Sequence, residues 1–158
     1  MDNNFKLYEN TKYNYDNFNT KNIILDVEGN NVSFQKILHE PLNIDKESDV
    51  FLDSLTTFNC NTSDEDSNMG FLLSIDELQI KTSSNNPLAN GSLFIPNEQS
   101  DSGDPSIGKT HKGKKLNYIS TIKPTRLTEL SGTFKLLNGT SPLTSNGRFI
   151  ADIIFVSK

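Results

Sequence analysis

From residue 22 onward the hydrophobic positions come in short runs rich in β-branched and aromatic residues, each ended by Gly, Asn, Pro or Ser. That is the pattern of strands, and helical spacing is nowhere sustained. The first run, residues 22–27, leads into the turn cluster 28–31 and then into residues 32–38, where Val32, Phe34, Lys36 and Leu38 share one face. This pair predicts a hairpin. Pro41 interrupts the chain, and residues 49–58 resume with Val50, Leu52 and Phe58 set against Phe51, Asp53, Leu55 and Thr57. After the hydrophilic stretch 63–68, residues 69–80 place Phe71, Leu73 and Ile75 on one face and Leu78 and Ile80 in the opposite phase, so a bulge is expected near Asp76 and Glu77.

A brief strand at residues 91–96 precedes a long loop, 97–114, and loops of that length in a compact domain are uncommon. Three further runs follow, at residues 115–122, 126–137 and 147–156. In the last, Phe149, Ala151, Ile153 and Phe155 oppose Ile150, Asp152, Ile154 and Val156, so only Asp152 breaks two apolar faces. Such a strand is expected to be covered on both sides, by the opposite sheet and by a loop or subunit. About eight strands with regular turns predict an all-β sandwich or barrel. Eight antiparallel strands in two sheets make a jelly roll, although strand count does not fix strand order and another Greek-key topology fits the same pattern.

The first twenty residues are different. Phe5, Tyr8, Tyr13, Tyr15 and Phe18 stand among Asn, Asp, Lys and Thr without a steady period. A segment so poor in aliphatics does not build its own core, yet each ring can bury about 150–250 Å² against another surface. We read residues 1–20 as an N-terminal arm and 21–158 as a single domain. The rings either dock on a partner or fold back on their own domain.

Composition narrows the classes of function. The 158 residues carry a net charge of -5 and include a single Cys, Cys60, and two His, His39 and His111. One core of this size needs no disulfide or metal, and these residues do not make a closed zinc site. No run approaches the ~18 apolar residues of a membrane span, and the polar start at Met1 has no signal-peptide character, which predicts an unsecreted protein. Asn, Ser and Thr supply 50 residues, in keeping with many turns. Lys109, Lys112, Lys114 and Lys115 form a short basic run that we read as an exposed loop, with no direct nucleic-acid role expected from an acidic chain.

Few motifs bear on chemistry. Residues 103–110, ending in Gly108-Lys109-Thr110, satisfy the phosphate-loop pattern, but that motif needs a strand leading in and a helix leading out. His111-Lys112-Gly113 is a poor first helical turn, and Asp101 and Asp104 would repel phosphate. Asp64, Asp66 and Asn68 have calcium-loop spacing, yet Gly70 falls one place late and the twelfth-position Glu is missing. Four glycosylation sequons, at Asn31, Asn61, Asn90 and Asn138, are expected to go unused in an unsecreted protein. Cys60 has no local base and reads as a small buried hydrophobe. No active site emerges, so neither an enzyme nor a cofactor is expected.

The order of three segments resembles a family. Residues 48–58 (SDVFLDSLTTF), 71–78 (FLLSIDEL) and 94–98 (FIPNE), extended by 116–119 (LNYI) and 147–156 (GRFIADIIFV), look like the small capsid proteins of nucleocytoplasmic large DNA viruses. The resemblance covers residues 48–156. It implies a single jelly roll in an icosahedral shell, either a minor capsid protein or the penton subunit at the fivefold vertices, because the major capsid proteins of these viruses carry two jelly rolls per chain. It further implies a homo-oligomer, a pentamer in the penton case, contacts with other capsid proteins including the major one, synthesis in the host cytoplasm and residence in the virion. The alternative class is a ligand- or glycan-binding β-sandwich module, against which stands the lack of Trp. A nucleotide-binding protein using Lys109 ranks behind both.

Overall fold

Strands form where the sequence alternates apolar with polar residues, and their inward faces then meet. The computed structural model describes residues 19–60, 69–97, 109–110 and 117–158. Within them run β1 (Thr20–Glu28), β2 (Ser33–Ile44), β3 (Ser48–Cys60), β4 (Gly70–Ile75), β5 (Leu93–Pro96), the two-residue β6 (Lys109–Thr110), β7 (Asn117–Ile122), β8 (Thr125–Lys135) and β9 (Leu143–Ser157). The chain is all-β, with eight strands of four or more residues among the described residues. They make two antiparallel sheets packed as a β-sandwich.

One sheet runs β1-β9-β3, with β6 and β7 both paired to the far side of β3, and the other runs β2-β8-β4-β5. The pairing has a simple order. β1 lies against β9, β2 against β8, β3 against β7 and β4 against β5, so the first half of the chain pairs with the second half in reverse. Almost every ladder therefore joins residues far apart in sequence.

Alternation turns Ile23, Leu25 and Val27 of β1, Val50, Leu52 and Leu55 of β3, and Phe149, Ala151, Ile153 and Phe155 of β9 into the interior. Phe34, Phe71, Ile75, Leu127, Leu130 and Phe134 meet them from the other sheet. A chain of rings crosses the core. Phe34 and Phe149 lie edge to face at 5.7 Å, while Phe149 and Phe134 at 4.4 Å and Phe134 and Phe71 at 5.3 Å are tilted to each other. Each such pair adds about 0.5–1.5 kcal/mol beyond its burial, so the rings tie the sheets together in several strands at once.

Three expectations need correction. β1 and β2 are not a hairpin: Gly29, at φ +100°, turns the chain from one sheet to the other, and Gly29 N–H donates to the Gly147 carbonyl at 2.8 Å. Within β3 the register against β9 shifts between Leu52 and Ser54, so Leu55 and Thr57 join Val50 and Leu52 inside while Phe58 turns out. An extra residue in one strand reverses the side-chain phase beyond it. Finally, the phase change after Ile75 comes from a 3₁₀ turn, Asp76–Leu78, ended by Gln79 at φ +50°, and not from a bulge. It buries Leu78 fully.

Candidate functional site

The inner-face residues of β1, β9 and β3 leave an opposite set pointing outward, in which apolar residues surround a central carboxylate. Three rows cross the strands in register. Asn22, Ile154, Phe51 and Tyr118 form one; Ile24, Asp152 and Ser54 the next; Asp26, Ile150 and Thr56 the third. Phe51 and Tyr118 meet edge to face at 5.8 Å. Ile24 is 65% exposed and Tyr118 53%, with Phe58 also open to solvent, whereas Ile150, Ile154 and Val156 are half-buried. Scattered single hydrophobics are ordinary on a surface, but a contiguous patch marks a contact site.

Asp152 stands in the middle of this patch. Its Oδ1 is buried and has no hydrogen-bond partner among the described residues. A buried acceptor left unmet costs about 1–3 kcal/mol, so this oxygen is a standing demand for a donor.

Charged residues ring the patch at both ends. At one end Arg148 donates through Nε to Asp26 Oδ1 at 2.7 Å and through a second nitrogen to Oδ2, with Glu28 3.5 Å away. The Arg148 hydrogen bond holds the Asp26 carboxyl below the usual aspartate range, and Asp26 in turn raises Arg148. At the other end Lys158 bridges Asp49 at 3.1 Å and Glu47 at 3.3 Å, and the bond to Asp49 raises the lysine above its ordinary value. Exposed apolar side chains inside a polar, ion-paired rim follow the anatomy of a protein–protein interface.

Beside the patch, an open cleft of about 360 Å³ is lined by Gln79, Lys81, Thr82 and the β7 residues 118–121. Tyr118 forms its rim, and its hydroxyl is already engaged with Thr121 Oγ1 at 2.7 Å, which donates to Asp49 at 2.5 Å. Ser120 Oγ donates to the Leu78 carbonyl, closing the cleft floor.

The residues singled out in the sequence fall in different places. Phe5, Tyr8, Tyr13, Tyr15 and Phe18 lie outside the described residues, as do Lys112, Lys114, Lys115, His111 and the calcium-like run 64–68. Lys109, read as part of a loop, belongs instead to β6, where it pairs with Thr57 of β3 while Thr110 pairs with Thr56. The phosphate-loop match therefore ends in an antiparallel strand where that chemistry requires the first turn of a helix. Cys60 is buried against the core and His39 is exposed. Asn138 and Asn90 of the sequons serve their own turns: Asn138 Oδ1 accepts from the Thr140 N–H, and Asn90 Oδ1 from that of Ser84. Among the described residues no three His, Cys, Asp or Glu gather as a metal-holding group, and no helix is long and apolar enough to cross a membrane. The outer-face patch is not visible in the sequence, apart from the two-sided apolar run of β9, because it is assembled from four strands whose order the sequence does not state.

No protein-family model matches this chain, and no curated protein matches it either.

Proposed function

We propose that this chain is a single jelly-roll structural protein of a virion, a penton or minor capsid subunit of a large icosahedral double-stranded DNA virus. The observation that carries the reading is the reversed pairing order, β1 with β9 through β4 with β5, with successive pairs falling alternately in the five-stranded and the four-stranded sheet. A long antiparallel ribbon rolled up in this way is how a jelly roll is wound, and capsid proteins use that fold widely. Fold alone does not name a function. What adds weight is the interface-like outer face of the five-stranded sheet, together with the resemblance of residues 48–156 to small capsid proteins.

On this reading the domain acts mechanically. Copies join side to side around an axis, a heterologous contact that closes into a ring when the rotation permits, and residues 1–18 serve as an arm that adds contacts between subunits or to the major capsid protein. Mass measurement of the purified full-length chain in solution tests it. A stable pentamer is expected for a penton subunit, and a strict monomer up to high concentration rejects self-assembly.

A second reading, a glycan-binding module, draws on the cleft beside the exposed ring of Tyr118. Sugars stack on open aromatic faces, but this ring has its edge against Phe51 and its hydroxyl spent within the protein. Saturable binding to a glycan panel that Tyr118→Ala abolishes would favour this module over the capsid subunit.

A further inference from the structure

We infer that the outer face of the five-stranded sheet receives the N-terminal arm, residues 1–18, of a second copy of the chain. This deepens the assembly reading and rests on it. The receiving surface is Ile24, Phe51, Tyr118, Ile150, Ile154 and Val156, grouped around the buried, unpartnered Oδ1 of Asp152.

The chemistry of the surface selects its occupant. Two such faces laid on each other would bring one Asp152 toward the other, and like charges in a water-poor contact repel. An isologous, face-to-face dimer is thereby disfavoured. The occupant that fits brings rings for the apolar rows and N–H or O–H donors for the carboxylate. Residues 1–18 carry that set: Phe5 and Phe18 supply apolar rings, Tyr8, Tyr13 and Tyr15 supply rings with a hydroxyl donor, and Lys6 and Lys12 supply ammonium groups. A tyrosine satisfies both demands with one side chain, its ring on the isoleucines and its hydroxyl on a polar partner.

Direction and reach favour a neighbour over the arm's own sheet. Asn19, the residue before β1, still lies in line with the ladder, because Ser157 N–H donates to its carbonyl at 3.4 Å. The chain at Asn19 is thus pointed along the strand, toward the end of the sandwich. Eighteen residues can span up to about 60 Å, whereas the three strand spacings across the sheet amount to about 14 Å. The arm is long enough to leave one subunit and cross the whole face of the next.

The test uses the full-length chain with a photo-reactive benzoylphenylalanine in place of Tyr13, in an equal mixture of light and ¹⁵N-labelled copies. Irradiation followed by mass spectrometry is expected to give light-to-heavy links landing on residues 148–156 or 49–58. Ile24→Glu, at a side chain already open to solvent, is expected to lower the yield of those links at least tenfold while the far-ultraviolet circular dichroism stays unchanged. Ile154→Glu gives a second, independent charge on the same face. Links confined to one chain, or intersubunit links that land on β2, β8 or β4, overturn this docking and leave assembly standing. A chain that stays monomeric at every concentration overturns the docking together with the assembly reading.

Discussion

Gly132 of β8 rests its α-carbon against the backbone of Ser74 in β4, so closely that a β-carbon placed on it would lie 1.9 Å from the Ser74 carbonyl oxygen. The obstacle is main chain in a paired strand, and no rotamer change relieves it. Ser74 and Thr133 are cross-strand partners joined by a hydroxyl bond of 2.8 Å, so the same two strands are also fastened right beside the contact. Gly132→Ala is therefore expected to pry β4 from β8 and cost about 3 kcal/mol. Gly29 offers the contrast: it has φ +100°, but a methyl group added there would meet nothing within 4 Å, so Gly29→Ala carries only backbone strain of about 1–2 kcal/mol. Urea unfolding midpoints of the two variants, at unchanged slope, check the ranking.

Glu77 replaces a strand. Where β4 leaves the sheet at Ile75, the N–H of Ser131 on β8 loses its ladder acceptor, and the Glu77 carboxylate takes that N–H at 2.9 Å and the Ser131 hydroxyl at 2.8 Å. Glu77→Ala leaves both donors without this partner and is expected to cost about 1–2 kcal/mol. Glu77→Gln keeps a carbonyl oxygen for the backbone donor and should lose less than half as much. Equal losses in chemical denaturation would mean that the contact is replaced by water.

The depressed titration of Asp26 gives a signed pH effect. A carboxyl whose folded value lies below its ordinary 3.8 contributes stability that is fully present above that pH and is lost as the pH falls through the lower folded value. Its partner is solvent-exposed and salt screens the pair, so the contribution is at most about 1 kcal/mol. Asp26→Asn should leave stability nearly unchanged at pH 2 and lower it slightly at neutral pH, with the difference shrinking in 1 M salt. Stability curves of both proteins from pH 2 to 7 read this out.

Much of this architecture is legible in the residues, and the reasons for the rest are physical. Alternation identifies β9 down to its inward Phe149, Ala151, Ile153 and Phe155, because a period of two reports which way a side chain points. It does not report the neighbour. Residues 28–31 look like a hairpin turn, yet Val27 pairs with Phe149 and not with anything in β2, since nothing local distinguishes a turn within a sheet from a turn between sheets. Single-residue irregularities are equally silent: the extra residue Asp53 shifts β3 by one place, which sends Leu55 inward and Phe58 outward against a regular count. The candidate patch inherits both blind spots. Phe51 and Tyr118 are far apart in the chain and meet only because β7 returns to the edge of β3.

Asp152 sets stability against assembly. Its Oδ1 is buried on the outer face of the central strand β9, between Ile24 of β1 and Ser54 of β3, with no donor among the described residues. Asp also suits a strand poorly, whereas Val fits the pleat and the aliphatic neighbours Ile150 and Ile154. Asp152→Val should raise the unfolding free energy of the dilute, unassembled chain by about 1–2 kcal/mol, measured by urea denaturation at low protein concentration. If the carboxylate is kept to meet a donor from another subunit, the same substitution should weaken association at least tenfold in sedimentation at high concentration. A residue that destabilises the single chain and strengthens the assembly has its partner outside that chain, and a Val variant no more stable than the parent would show instead that the oxygen's burial is already compensated.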